Sequence, residues 1–109
     1  VGELDGELAG FLSGGRCREP AKNEPIGEVH GCYVDPACWG RGVGSALMAA
    51  GIERLARAGY PEAVLWVLAD NPRARSFYER HGWLADGARA MFEVGGGHYP
   101  EVRYRRNLP

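Results

Sequence analysis

At 109 residues the chain is long enough for one compact domain and too short for two, so residues 1–109 are read as a single domain. Apolar residues make up 45% and charged residues 25%, the balance of an ordinary globular protein. A net charge of −1 gives no basic excess for nucleic acid, and no apolar run approaches the roughly 18 residues of a membrane span, so neither nucleic acid nor membrane is expected as a partner.

In chain order, Val1–Leu4, Asp5-Gly6 and Glu7–Ser13 read as a β-hairpin, because Asp-Gly tolerates the positive φ of a tight turn. The chain opens at Val1 without an initiator Met and already with strand character, so preceding sequence is expected to be missing. Gly14–Pro25 is polar and rich in turn residues and is read as a loop. Ile26–Val34 has strand character and should stop at Asp35-Pro36, since proline keeps the residue before it out of helix.

From Arg41 to Ala58 the residues are strong helix formers. Val43, Leu47 and Ala50 fall on one stripe, Met48, Ile52 and Leu55 on an adjacent one, and Gly59 supplies a stop. Ala63–Leu68 is an unbroken apolar run of strand length, as for a strand covered on both faces. Asn71-Pro72 opens a second helix, with Asn71 as N-cap, running to about His81 before Gly82. Trp83 onward is extended, Gly95-Gly96-Gly97 is a turn, and Val102–Arg106 alternates as a final strand with Val102, Tyr104 and Arg106 on one side. The order β-β-β-α-β-α-β-β predicts a mixed, largely antiparallel α/β sheet with a central parallel βαβ pair flanked by helices.

The chemistry-bearing feature is the glycine-rich turn Trp39-Gly40-Arg41-Gly42-Val43-Gly44-Ser45, which follows a strand and opens a helix. A helix N-terminus presents N–H groups without intrahelical acceptors and a partial positive charge, so it attracts phosphate. A nucleotide-binding P-loop would need a Lys after its last glycine, and a dinucleotide fingerprint a third glycine farther on; neither is present. A turn that merely packs tightly explains the glycines equally well when they are taken alone.

With its flanks, GEVHGCYVDPACWGRGVGSALM (residues 27–48) closely resembles motif A of the GNAT acyltransferase superfamily, [QR]-x-x-G-x-[GA]. Gly42 and Gly44 match, and Trp39 stands at the Gln/Arg position. LWVLADNPRARSFYERHGW (residues 65–83) resembles motif B, a strand followed by N-x-x-A-x-x-F-Y-E-x-x-G-[FW]. Both motifs occur in family order, and the resemblance extends over nearly the whole chain. It implies a GNAT-like fold lacking its first strand and first helices, with an incomplete acceptor pocket. Sheet edges left open by such a loss would invite two copies to pair as a homodimer.

The resemblance further implies acetyl-CoA as cosubstrate, a primary amine as acceptor, and direct transfer between them without a metal. Backbone N–H groups of Arg41, Gly42, Val43, Gly44 and Ser45 would hold the CoA pyrophosphate. Val34, at a strand end where the family often has a β-bulge, would pair its backbone with the pantetheine arm. Asn71 would hydrogen-bond the pantetheine. Tyr78 would protonate the leaving thiolate, against a plainer reading as a core aromatic beside Phe77. Glu28, six residues before Val34, matches the strand position of a glutamate base in some members. Period-2 alternation places Glu28, His30 and Cys32 on one face, making His30 the second candidate base because imidazole titrates near neutrality.

Cys17, Cys32 and Cys38 are odd in number, irregularly spaced and without zinc-ligand spacing, so reduced thiols, a cytoplasmic setting and no metal are expected. An acyl-cysteine at Cys32 lacks a recognisable partner base. His81 is expected on the helix surface, His98 near the glycine turn, and Trp66 and Trp83 in the core. A non-catalytic acyl-CoA sensor on the same fold would carry the same cofactor motifs.

Overall fold

The computed structural model describes residues 2–4, 7–16, 26–34, 36 and 42–109. The Asp5-Gly6 turn, Cys17, Cys38, Trp39 and Arg41 lie outside the described residues. The elements are β1 (Gly2–Leu4), β2 (Glu7–Arg16), β3 (Ile26–Val34), α1 (Val43–Arg57), β4 (Glu62–Leu68), α2 (Pro72–Arg80), β5 (Leu84–Val94) and β6 (Gly97–Asn107), in the order expected from the sequence. The chain divides into two compact units, Val1–Ala63 with Asn107–Pro109, and Val64–Arg106, with the division falling inside β4.

In the first unit β2 pairs antiparallel with β1 and with β3, and α1 packs against these strands. Val43, Leu47, Met48, Gly51, Ile52 and Leu55 form the buried face of α1. Ala50, expected on that face, is exposed, and Gly51 takes its place. A Cβ on Gly51 would stand 2.7 Å from Leu12 Cδ2, so the missing side chain is what lets β2 and the helix approach. The same economy holds at Gly27, where a Cβ would meet Leu55 and Tyr60 at 3.2 Å.

Two expectations for this unit change. β2 does not end at Ser13. Gly14, Gly15 and Arg16 continue the ladder opposite Val29, Glu28 and Gly27, since backbone pairing along β3 outweighs their loop-like composition. Strict alternation along β3 fails as well. Ser13 faces Gly31 while Gly14 faces Val29, so His30 is an extra residue on β3, a bulge that resets which side chains face inward. Ile26, Gly27, Glu28 and Val29 are all buried, His30 is exposed and Cys32 is half-buried.

In the second unit β6 lies between β4 and β5. Val64, Leu65, Val67, Trp83, Val102 and Tyr104 are its buried side chains, the last two keeping the alternation expected of the final strand. β6 starts at Gly97 rather than Val102, because the hairpin turn needs only Gly95 and Gly96, both at positive φ, and Gly97 already pairs with Val94. Trp83 is fully buried as expected, whereas Trp66 is only half-buried and lies 5.9 Å from the Arg103 guanidinium. No helix among the described residues is long and apolar enough to cross a membrane.

Candidate functional site

The first unit carries the strand end and the helix start. Gly42 is the N-cap of α1, with φ of 80° and ψ of 2°, a left-handed conformation that side chains rarely adopt. Gly42 has no side chain with which to cap the helix, and the first turn holds no acidic residue. The partial positive charge of this 15-residue helix therefore meets no carboxylate from its own first turn. Val43 is buried against Leu47, with Leu12 and Val34 packed beside them, so strand end and turn share one apolar cluster. The side chains of Val34 and Val43 are thus taken up by packing. Gly44 is half-buried and Gly42 and Ser45 are exposed.

Val34 pairs with Gly10 in regular register, and the bulge on β3 lies four residues earlier, at His30. That bulge separates the two candidate bases. Glu28 is 3% exposed and His30 is open to solvent, so they do not share one face. Burial pushes the Cys32 thiol above its ordinary value, which lowers the fraction of nucleophilic thiolate.

The second unit carries Asn71 and Tyr78. Asn71 Oδ1 accepts from the Ala74 N–H at 3.1 Å, and Pro72 occupies the first turn, which has no need of its missing N–H. The side-chain oxygen of Asn71 is thus spent on the cap, and its amide N–H groups are the donors it can turn to a ligand. Tyr78 is half-buried on α2, edge-on to Phe77 with centroids 5.6 Å apart. His81, expected on the surface, is half-buried beside Phe77 at 4.7 Å. Burial, then the charges of Arg80 and Arg106, lower its pKa.

Two side-chain groupings escape sequence reasoning. Tyr104 joins Arg75 and Glu79 on α2 through its hydroxyl. Asp86 gathers Arg103, Arg105 and the Ala88 N–H. The dipeptide Asp86-Gly87, a turn signal inside a strand, marks the second; nothing local marks the first. Among the described residues no group of three or more His, Cys, Asp or Glu side chains is placed to hold a metal.

The profile of the Acetyltransferase (GNAT) family matches residues 1–83. The mycothiol acetyltransferase of Streptomyces avermitilis is 39% identical over 94 residues, covering 86% of this chain and 29% of that protein. The chain thus spans under a third of the length of that relative. The ribosomal-protein-alanine N-acetyltransferase from Brucella melitensis superposes over 99% of this chain and 67% of its own, with a TM-score of 0.86 and 21% identity, a likeness of fold. A chain of the NatC complex, solved bound to Gag peptide and CoA, superposes over 93% of this chain and 62% of its own with a TM-score of 0.77 and 20% identity. The sequence match and the shared mixed α/β fold place this chain in the GNAT acetyltransferase family.

Proposed function

We propose that the chain acts as one acetyltransferase domain that moves an acetyl group from acetyl-CoA to a primary amine by direct transfer. The observation that carries the reading is the left-handed Gly42 at the start of an α1 whose first turn is free of acidic side chains. The backbone N–H groups of Arg41 to Ser45 hold the pyrophosphate of acetyl-CoA. The backbone of Val34 pairs with the pantetheine arm, and the Asn71 amide donates to it.

The amine must lose a proton before it can attack the thioester carbonyl. Its nitrogen forms the new C–N bond, the C–S bond breaks, and the departing thiolate takes the Tyr78 phenolic proton, which solvent restores. Glu28 takes the amine proton. At 3% exposure it does so through an intervening water rather than by touching the amine. His30 stands as the second base because it is exposed where Glu28 is not. The name of the Streptomyces avermitilis relative makes a mycothiol-related amine the first acceptor to try.

Calorimetric titration with acetyl-CoA, followed by CoA release in the presence of a panel of primary amines, tests the reading. Binding with amine-dependent CoA release is expected. Binding without release for every amine would leave the sensor reading standing, and no binding at all would remove both.

A further inference from the structure

Tyr78 sits on a helix of nine residues, none of them fully buried. So short a helix has little stability of its own, and without a buried apolar face it depends on other ties to keep one position. Tyr104 provides them. It is fully buried on β6, and its hydroxyl is used twice. It accepts from Arg75 Nε at 2.9 Å and donates to Glu79 Oε2 at 2.7 Å. Each bond has a charged partner, which makes both stronger than neutral ones.

The two partners bracket Tyr78 in sequence, Arg75 three residues before it and Glu79 immediately after. Arg75 Nη1 also donates to the Ala69 carbonyl at 3.0 Å, and the Ala69 N–H donates to the Pro100 carbonyl on β6 at 2.9 Å. Helix and preceding loop are thereby tied to one strand. The Tyr104 ring lies beside that of Tyr78, with centroids 6.4 Å apart and planes at 57°.

We infer that Tyr104 is a positioning residue for Tyr78: its hydroxyl, held between Arg75 and Glu79, fixes α2 on β6 and so fixes the phenol that delivers the proton. The inference rests on the acetyl-transfer reading for the role of Tyr78, but the geometry it invokes lies wholly within the second unit. An error of about 1 Å in a reacting group can cost up to a hundredfold in rate, so a tie of this kind belongs to catalysis as well as to stability.

The test compares the full chain with Tyr104→Phe, Glu79→Gln and Glu79→Ala, each labelled with ¹³Cζ-tyrosine and assayed with acetyl-CoA and the amine panel. Tyr104→Phe keeps the ring and removes only the hydroxyl. Its kcat should fall roughly tenfold while KM for acetyl-CoA stays within about twofold, and the Tyr78 Cζ resonance should move. Glu79→Gln keeps an acceptor for the hydroxyl and should retain kcat within about twofold, whereas Glu79→Ala should fall as Tyr104→Phe does.

An unchanged kcat and an unmoved Tyr78 resonance in Tyr104→Phe overturn the inference, as does equal loss in Glu79→Gln and Glu79→Ala. Should Tyr104→Phe not fold, the two Glu79 variants decide. A wild-type chain that releases no CoA with any amine defeats the acetyl-transfer reading instead, and the Tyr78 resonance then still decides whether Tyr104 positions it.

Discussion

Arg103 Nε donates to Asp86 Oδ2 at 2.7 Å across the β5–β6 pair, at the place where β5 leaves regular register. Ala85 faces Tyr104 and Arg89 faces Val102, so residues 86–88 together oppose Arg103, with Gly87 at φ of 89°. Asp86 holds this bulge from both sides. Its Oδ1 accepts from Ala88 N–H at 3.0 Å, and its Oδ2 also takes Arg105 Nε at 3.4 Å.

Burial alone would raise the Asp86 pKa; the Ala88 N–H, Arg103 and Arg105 outweigh it and the net shift is downward. A carboxyl depressed in the folded state adds stability above its unfolded value, near 3.9, and that contribution disappears as pH falls through the folded value. Asp86→Asn should therefore cost about 1–2 kcal/mol at pH 7, and the gap from wild type should close on acidification below about pH 3.9. Thermal melts of both proteins from pH 7 to pH 2 check this; a gap independent of pH would show that the charge is not what Asp86 contributes.

Gly42→Ala isolates the backbone of the turn. Nothing lies within 4 Å of a Cβ built there, so no clash is introduced. What changes is φ, which is 80° and costs an L side chain about 1–2 kcal/mol. If the residue escapes that strain by relaxing, the N–H groups that follow turn away from the proposed phosphate position. Acetyl-CoA binding should weaken about tenfold or more, as one lost charge-assisted hydrogen bond would do, while α1 stays helical. Calorimetry together with circular dichroism separates the two; unchanged affinity would remove the turn from the cofactor site.

The proposed proton donor and base would leave different kinetic traces. Tyr78→Phe keeps the ring beside Phe77 and Tyr104 and removes only the donor. It should lower kcat about a hundredfold with little change in acetyl-CoA affinity. Glu28→Gln and His30→Ala test the base. Loss of the acid limb of the kcat/KM profile in Glu28→Gln alone supports the buried carboxylate acting through water. The same loss in His30→Ala alone assigns the base to the exposed imidazole at the bulge.

Features set by neighbours in sequence were legible, and features set by register were not. The Asn71 cap, the Pro72 start and the helix stop at Gly82 are written in consecutive residues, and α2 forms where they place it. The start of α1 was less readable: helix propensity places it at Arg41, whereas α1 begins at Val43 with Gly42 as a left-handed N-cap. The shared face of Glu28, His30 and Cys32 was inferred from a period of two, which holds only while the strand stays in register. One extra residue at His30 undoes it, and its cause lies in the pairing with β2. Tyr104 could be placed on the inner face of its strand from Val102 and Tyr104 alone, but its hydrogen bonds reach residues 25 and 29 positions away, beyond any local pattern.

Gly10 is the position where strand packing meets the strand end proposed to hold the pantetheine arm. It is buried and pairs with Val34. A Cβ there would run into the Tyr33 carbonyl oxygen, and it would lie 3.1 Å from Val34 Cα and 3.2 Å from Leu47 Cδ1. The Leu47 methyl can rotate aside. The carbonyl and the Cα belong to the backbone and yield only if β2 and β3 separate. Gly10→Ala should therefore cost about 1–3 kcal/mol, and because the separation falls at Val34 it should also weaken acetyl-CoA binding. Gly15→Ala is the control on the same strand, where the nearest atom to a new Cβ is His30 Cε1 at 3.9 Å. It should change stability by no more than about 0.5 kcal/mol and leave affinity alone. Chemical denaturation and calorimetry on the two variants give the answer. If Gly10→Ala is destabilised but binds acetyl-CoA as the wild type does, the Val34 backbone has no part in holding the pantetheine arm.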